Sequence, residues 1–420
     1  MNNVTTKPQM KQLVPELRFK EYSESWSHDK LEKFVSLQSG YAFKSNNFAE
    51  SGKKLVTPKN FTKTGYGLFT KTNTKFTTEV PDEKYICKQN DLLVLLTDLT
   101  PSCELLGKPM LVTQNDGELL LNQRIVKVEI DNKLLSKEFV MYLFLTKNYH
   151  KRIKSTATGS TVRHSSNDIL KSYKFGRPPL KEQQKIANFL TAVDQRIRLL
   201  KQKKAALETY KKGLMQKIFS QEIRFKDKNG KDYTDWELVQ LSEIINKFIV
   251  PMRDKPKDLT GGTPWCRIED FDGKYLYSSK TNQGVSKKVI NAMNLKVIPR
   301  NSLIVSCSAY LGKCAIVKND LITNQTFIGL IPNVKIVNIE FLFYAMQLME
   351  RKLNTLSSGT TIAYLSRKEF ENLRINIPQL SEQKNIAECL SAIDQSINQL
   401  TKQINQTTQF KKGLLQRMFV

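Results

Sequence analysis

Between Ile186 and Ile218 apolar side chains return at alternating steps of four and three residues. Ile186, Leu190, Val193, Ile197 and Leu200 are followed by Leu207, Leu214 and Ile218, with Lys204 and Lys211 in the skipped places. The same spacing reappears as Ile386, Leu390, Ile393, Ile397, Leu400 and Ile404, then runs through Thr407 and Lys411 to Leu414 and Met418. A mean period of about 3.5, held for about four heptads, marks a coiled-coil seam rather than a generic amphipathic helix. Pro178-Pro179 and Pro378 suit a helix approach or first turn. Glu182 and Glu382 in the first turn complement the helix dipole. Helices are therefore expected over residues 179–222 and 379–420, and Leu180 to Gly213 would span about 50 Å. Gly213 and Gly413 are candidates for a kink or stop. Each seam needs a partner. The other copy, antiparallel, is the simplest, and another polypeptide is the alternative; both stand at this stage. Lys204 and Lys211 against Thr407 and Lys411 would set register at some loss of stability.

The helices close two copies of a longer repeat. PPLKEQQKIANFLTAVDQRIRLL from Pro178 returns as PQLSEQKNIAECLSAIDQSINQL from Pro378, and KKGLMQKIF ending at Phe219 returns as KKGLLQRMF ending at Phe419. Every position recurs 200 residues later without a gap. Upstream, Thr158-Gly159-Ser160 faces Ser358-Gly359-Thr360, Asn122-Gln123 faces Asn324-Gln325, Arg18-Phe19-Lys20 faces Arg224-Phe225-Lys226, and Trp26 faces Trp236. The spacing drifts there, so every insertion falls in the larger segments. A stretch that tolerates no length change suggests that its length is the function.

The larger segments mix short strand-like runs with helical ones. Asp91–Leu96 and Ser302–Ser306 read as buried strands, Phe139–Leu145 and Phe341–Met349 as helices. The fold class is α+β, one domain type used twice: residues 1–178, with 1–15 a flexible tail, and residues 223–378.

Charge narrows the function. Lys plus Arg number 66 against 40 Asp plus Glu, a net charge of +26. That surplus calls for a polyanion, and each neutralised phosphate adds affinity by counterion release. Six scattered cysteines make no CxxC pair, which argues against zinc and against a disulfide framework. Residues 1–17 lack the apolar core of a signal peptide, and no run is long enough to span a membrane, so a cytoplasmic protein is expected. There is no GxxxxGK[ST], no dinucleotide-type glycine loop and no Asn/Asp-Pro-Pro-aromatic tetrapeptide. His28, His150 and His164 have no counterparts in the second half. A binder is expected, with no catalytic residues and no metal.

The candidate DNA contacts lie in loops where Gly, Ser/Thr, basic and aromatic residues gather. In the first domain they are Lys59, Asn60, Lys63, Tyr66, Thr158, Ser160, Thr161, Arg163 and His164. In the second they are Arg267, Glu269, Asp270, Tyr310, Ser358, Thr360, Thr361 and Tyr364, the first three because Trp265–Asp270 matches the place of Thr57–Asn60. Glycine lets a backbone N–H approach a phosphate, hydroxyls add donors, and an arginine can pair bidentately with a base. Asn122-Gln123 and Asn324-Gln325, identical in both copies, suit a structural role better. A self-contained DNA methyltransferase-endonuclease and a two-domain DNA-binding regulator are the alternatives; the first needs a cofactor motif that is missing.

The motif Pro-x-Leu-x-Glu-Gln-x-x-Ile-Ala-x-x-Leu-x-x-x-Asp occurs as Pro178 to Asp194 and again as Pro378 to Asp394. In it the chain resembles the specificity subunits of type I restriction-modification systems over nearly its whole length. The resemblance implies two target-recognition domains separated by paired conserved helices with pseudo-twofold symmetry, each domain reading half of a bipartite, asymmetric site in double-stranded DNA. It implies that the helices set the gap and dock two methyltransferase subunits, with restriction-translocase subunits joining for cleavage. S-adenosylmethionine, ATP and Mg are then carried by those partners, and no cofactor by this chain.

Overall fold

The computed structural model describes residues 13–98, 100, 102–160, 162–308, 310–356 and 364–420, apart from the side chains of 351, 352 and 354–356. The chain divides into two compact units, Met1–Lys201 with Lys402–Val420, and Gln202–Thr401. Each is described by itself.

In the first unit β1 (Val35–Ser39), β2 (Leu92–Leu95), β3 (Pro109–Leu111) and β4 (Ile125–Ile130) form an antiparallel sheet in the order β1-β4-β2-β3. Strand β2 is apolar throughout because both of its faces are covered. Leu92 and Val94 enter one core while Leu93 and Leu95 enter another, as a two-residue period requires. Helix α1 (Lys137–Leu145) starts at Ser136, whose hydroxyl accepts the Phe139 N–H, and is buried from Phe139 to Leu145. The chain then enters α2 (Leu180–Phe219).

The second unit repeats the frame. β5 (Ile245–Ile249), β6 (Leu303–Ser306), β7 (Cys314–Val317) and β8 (Phe327–Pro332) run in the order β5-β8-β6-β7, with Tyr275–Leu276 added parallel to β7. Leu303 and Val305 face one core and Ile304 the other. Helix α3 (Ile339–Leu356) precedes α4 (Leu380–Arg417).

The compact units cut across the helices. The core of the first unit joins Ile186, Leu190 and Val193 of α2 to Leu414 of α4 and the Met418 and Phe419 that follow it. That of the second joins Ile386, Ala387 and Leu390 of α4 to Met215 and Ile218 of α2. Each head is thus closed by the start of its own helix and the end of the other, antiparallel. Ring contacts mark the closure: Phe419 lies 5.1 Å from Phe139, and Phe219 5.4 Å from Phe341. Gly213 and Gly413 do not stop their helices. Both helices continue past them because the following turn (Met215 and Ile218, Leu414 and Met418) is buried.

Two polar anchors fasten each helix start. Glu182, fully buried, takes a bidentate pair from Arg18 at 2.7 and 2.8 Å; Glu382 takes one from Arg224 at 2.9 and 3.3 Å. Gln183 accepts the Ser136 N–H and donates to Leu134 and Pro178 carbonyls, and Gln383 does the same with Asn338, Ile336 and Pro378. Dipole compensation is therefore a secondary role for these glutamates.

Candidate nucleic-acid interface

In the first unit three loops converge. Exposed Lys63, from the loop after Pro58–Asn60, pairs with Glu104 at 2.5 Å, which brings that loop to the segment between β2 and β3. The segment's Thr97 and Asp98 form a short ladder with His164 and Arg163. Arg163 donates to the Gly159 carbonyl at 2.7 Å, and His164 Nδ1 lies 3.1 Å from the Thr97 hydroxyl. Gly159 has φ +91°, and a Cβ there would lie 2.1 Å from the Val162 carbonyl oxygen, so this turn requires glycine. Lys59, Thr158, Ser160 and His164 are exposed, while Arg163 is half-buried. Thr161 lies outside the described residues. Lys108, at the start of β3, is 8% exposed, and burial, with Lys63 nearby, lowers its pKa to about 8.

The same convergence recurs in the second unit. The Leu365 N–H donates to the Cys307 carbonyl, as Ser165 does to Leu96. Lys313 sits over both the Phe271 and Tyr310 rings, joining the 267–271 turn to the loop between β6 and β7. Tyr310 is 68% exposed at φ +59°, an unusual backbone for an aromatic residue. Tyr364 and Glu269 are also exposed. Arg267 is half-buried against Gln283. Ser358, Thr360 and Thr361 lie outside the described residues.

Three candidates are placed where they serve the fold. The fully buried Asn60 amide accepts from Thr57 N–H and Oγ1 and donates to Leu68 and Asn73 carbonyls, so nothing of it is left for a base. Asp270 occupies the equivalent position and is spent on Arg267 and Lys280 N–H groups. Both stand at the third residue of a one-turn helix and reach back to the N–H of the residue before it, one arm of a capping box. Tyr66 points inward to Tyr142 and Asp194, and burial raises its pKa.

Behind the loops lies a junction of which the sequence pointed to the lysines, Lys211 and Lys411, but not to their partners. Asp194 accepts the Tyr142 hydroxyl at 2.9 Å and Lys411 Nζ at 2.7 Å; Asp394 accepts Tyr344 and Lys211, both at 2.6 Å. Burial raises both tyrosine hydroxyls and lowers the Lys411 ammonium. The signal was present: both aspartates sit in the repeated motif and both lysines in the repeated KKG.

The seam residues divide by position. Ile186, Leu190, Val193, Ile386, Leu390 and Leu400 are buried, whereas Ile197, Leu200, Leu207, Ile393, Ile397 and Ile404 are half-buried. Among the described residues no cluster of three or more His, Cys, Asp or Glu suits a metal, and no helix is long and apolar enough to cross a membrane.

The family described as type I restriction modification DNA specificity domain matches the chain twice, over residues 23–209 and 233–408. The putative type I restriction enzyme MjaX specificity subunit of Methanocaldococcus jannaschii is 27% identical over 318 residues, covering 74% of this chain and 72% of its own. The EcoBI specificity subunit of Escherichia coli is 22% identical over 410 residues, covering 91% and 82%. The crystal structure of a type I restriction-modification S subunit from M. genitalium aligns with a TM-score of 0.61 over 97% of this chain and 99% of that one. At 17% sequence identity, that is a likeness of fold.

Proposed function

The chain belongs to the type I restriction modification DNA specificity domain family, and from that premise we propose how it reads DNA. It is the non-catalytic, sequence-reading subunit of a cytoplasmic restriction-modification complex. Each head reads one half of a bipartite, asymmetric site. The observation that carries this is one frame bearing two different surfaces. Both heads have the same sheet order and the same three converging loops, but one presents Lys63, Arg163 and His164 where the other presents Glu269, Tyr310 and Tyr364. A shared frame gives both heads the same approach to the duplex, and different side chains give different half-sites.

Lys59, Thr158 and Ser160 contact phosphates in this reading, with the wider basic surplus supplying affinity. Arg163, His164, Arg267, Glu269, Tyr310 and Tyr364 face base edges, where a good bidentate contact discriminates by about 1–3 kcal/mol. The helices act as the spacer: α2, at 40 residues, is about 60 Å long and fixes the helical phase between half-sites. Two methyltransferase subunits dock on them, bringing S-adenosylmethionine, and restriction subunits bring ATP and Mg.

Methylome sequencing of a host carrying the complex tests this. Replacing residues 27–177 with another head should change one half-site and leave the other. Four residues inserted near Ala205 should change the gap or abolish recognition. Methylation at the unchanged site in either variant refutes the corresponding part.

A further inference from the structure

We propose that Asp194 and Asp394 are positioning residues that fix the register of α2 against α4, and with it the length of the gap; this rests on the spacer reading above. Three elements meet at each carboxylate. Asp194, on α2, holds Lys411 of α4 at 2.7 Å and Tyr142 of α1 at 2.9 Å. Asp394, on α4, holds Lys211 of α2 and Tyr344 of α3, each at 2.6 Å. The hydroxyls of Thr191 and Ser391 stand 3.2 and 3.3 Å from the same tyrosines, and each lysine lies over the tyrosine ring, at 5.3 and 5.0 Å. In both units the lysine comes from the other long helix.

The helix ends are held by the head cores, but along the middle of the seam apolar packing defines the register weakly. Ile197, Leu200, Leu207, Ile397 and Ile404 are only half-buried, so a slip by one heptad returns each to a similar apolar neighbour. The ionic pairs do not survive that slip. Seven residues are about 10 Å of helix, which would leave Lys411 (8% exposed) and Asp194 (side chain 13% exposed) in the seam without counter-ions. Removing one partner of a buried pair is far more costly than the pair itself is stabilising, so the pair acts chiefly by excluding other registers. The tyrosine extends that control to the head, because its hydroxyl hydrogen-bonds the carboxylate that holds the lysine.

The test uses the full chain assembled with its modification subunits and reads methylated sites sorted by gap length. Lys411→Met should methylate sites whose gap differs from the native length by about three base pairs, the equivalent of a slip of about 10 Å, at about a tenth of the native level or more, with both half-site sequences unchanged. Lys411→Arg should keep the single native gap. A single gap in Lys411→Met overturns the proposal. Should that variant fail to assemble, Asp194→Asn combined with Lys411→Met removes the pair without leaving either charge buried alone; broadened gaps then support the proposal and one unchanged gap overturns it. The insertion near Ala205 runs alongside. If it shifts the gap while the junction variants keep one gap, the register lock alone falls; if it leaves the gap unchanged, the spacer reading falls.

Discussion

In the first unit Gly65 precedes Tyr66, and Glu138 accepts the Ser136 hydroxyl at 3.0 Å. In the second, Lys274 precedes Tyr275, and Glu340 accepts from Lys274 at 2.9 Å, from Ser391 at 2.8 Å and from the Tyr275 hydroxyl at 2.5 Å. Burial pushes the Glu340 carboxyl up, but these hydrogen bonds outweigh it and hold the group below its usual range. The Tyr–Asp–Lys junction is therefore common to both units, while an additional ion pair has been built around it in one. The comparison separates what the frame needs from what one head has added.

The largest effect expected is at the helix starts. Glu182→Gln leaves Arg18, whose side chain is 9% exposed, without its counter-charge and should destabilise the first unit by about 3–4 kcal/mol. Glu382→Gln should lose less, about 2 kcal/mol, because Arg224 is more exposed and keeps the Thr234 carbonyl. Urea unfolding with hydrogen exchange in each unit measures both, and equal losses would break the ranking.

Next, Lys274→Met should weaken the second unit by about 2–3 kcal/mol, since its ammonium is buried against Glu340 and Ser391. Hydrogen exchange in the first unit should not change.

Lys108 distinguishes the heads in the opposite direction. Its folded pKa of about 8 lies below the ordinary 10.5, so the folded head binds fewer protons than the unfolded chain between those values. The first unit should gain stability as pH rises from about 8 to about 10. Lys108→Met should stabilise it by about 2 kcal/mol at pH 7 and remove that pH dependence. Thermal melts across the range check this, and a wild-type slope that persists in the variant would sink it.

The smallest effect should come from Arg163→Ala. It should lose about 1 kcal/mol of binding to DNA and relax one half-site only, with unfolding unchanged, as read by DNA titration at fixed salt.

Period and repetition made the helices, their starting turns and the two strand cores legible, because a 3.5-residue period and a two-residue period are local properties. Partnership across the chain was not legible. Arg18 and Arg224 stood out as repeated anchors and Glu182 and Glu382 as first-turn acids, yet 164 and 158 residues separate the partners. Asn60 looked like a polar loop residue because a cap and a base contact ask for the same amide. Periodicity also gave no sign that Phe419 rather than Phe219 would close the first head.

That exchange of closing segments has a consequence for synthesis. Gln202–Thr401 is continuous, and its closing turn, Met215 to Ile218, is made before its strands. The first unit must wait for Lys402–Val420. On the ribosome the later-made head completes its core first, while Trp26, Phe139 and Ile186 await Phe419 until Lys402–Val420 emerges. The earlier-made head is therefore the one more open to aggregation while the chain is nascent.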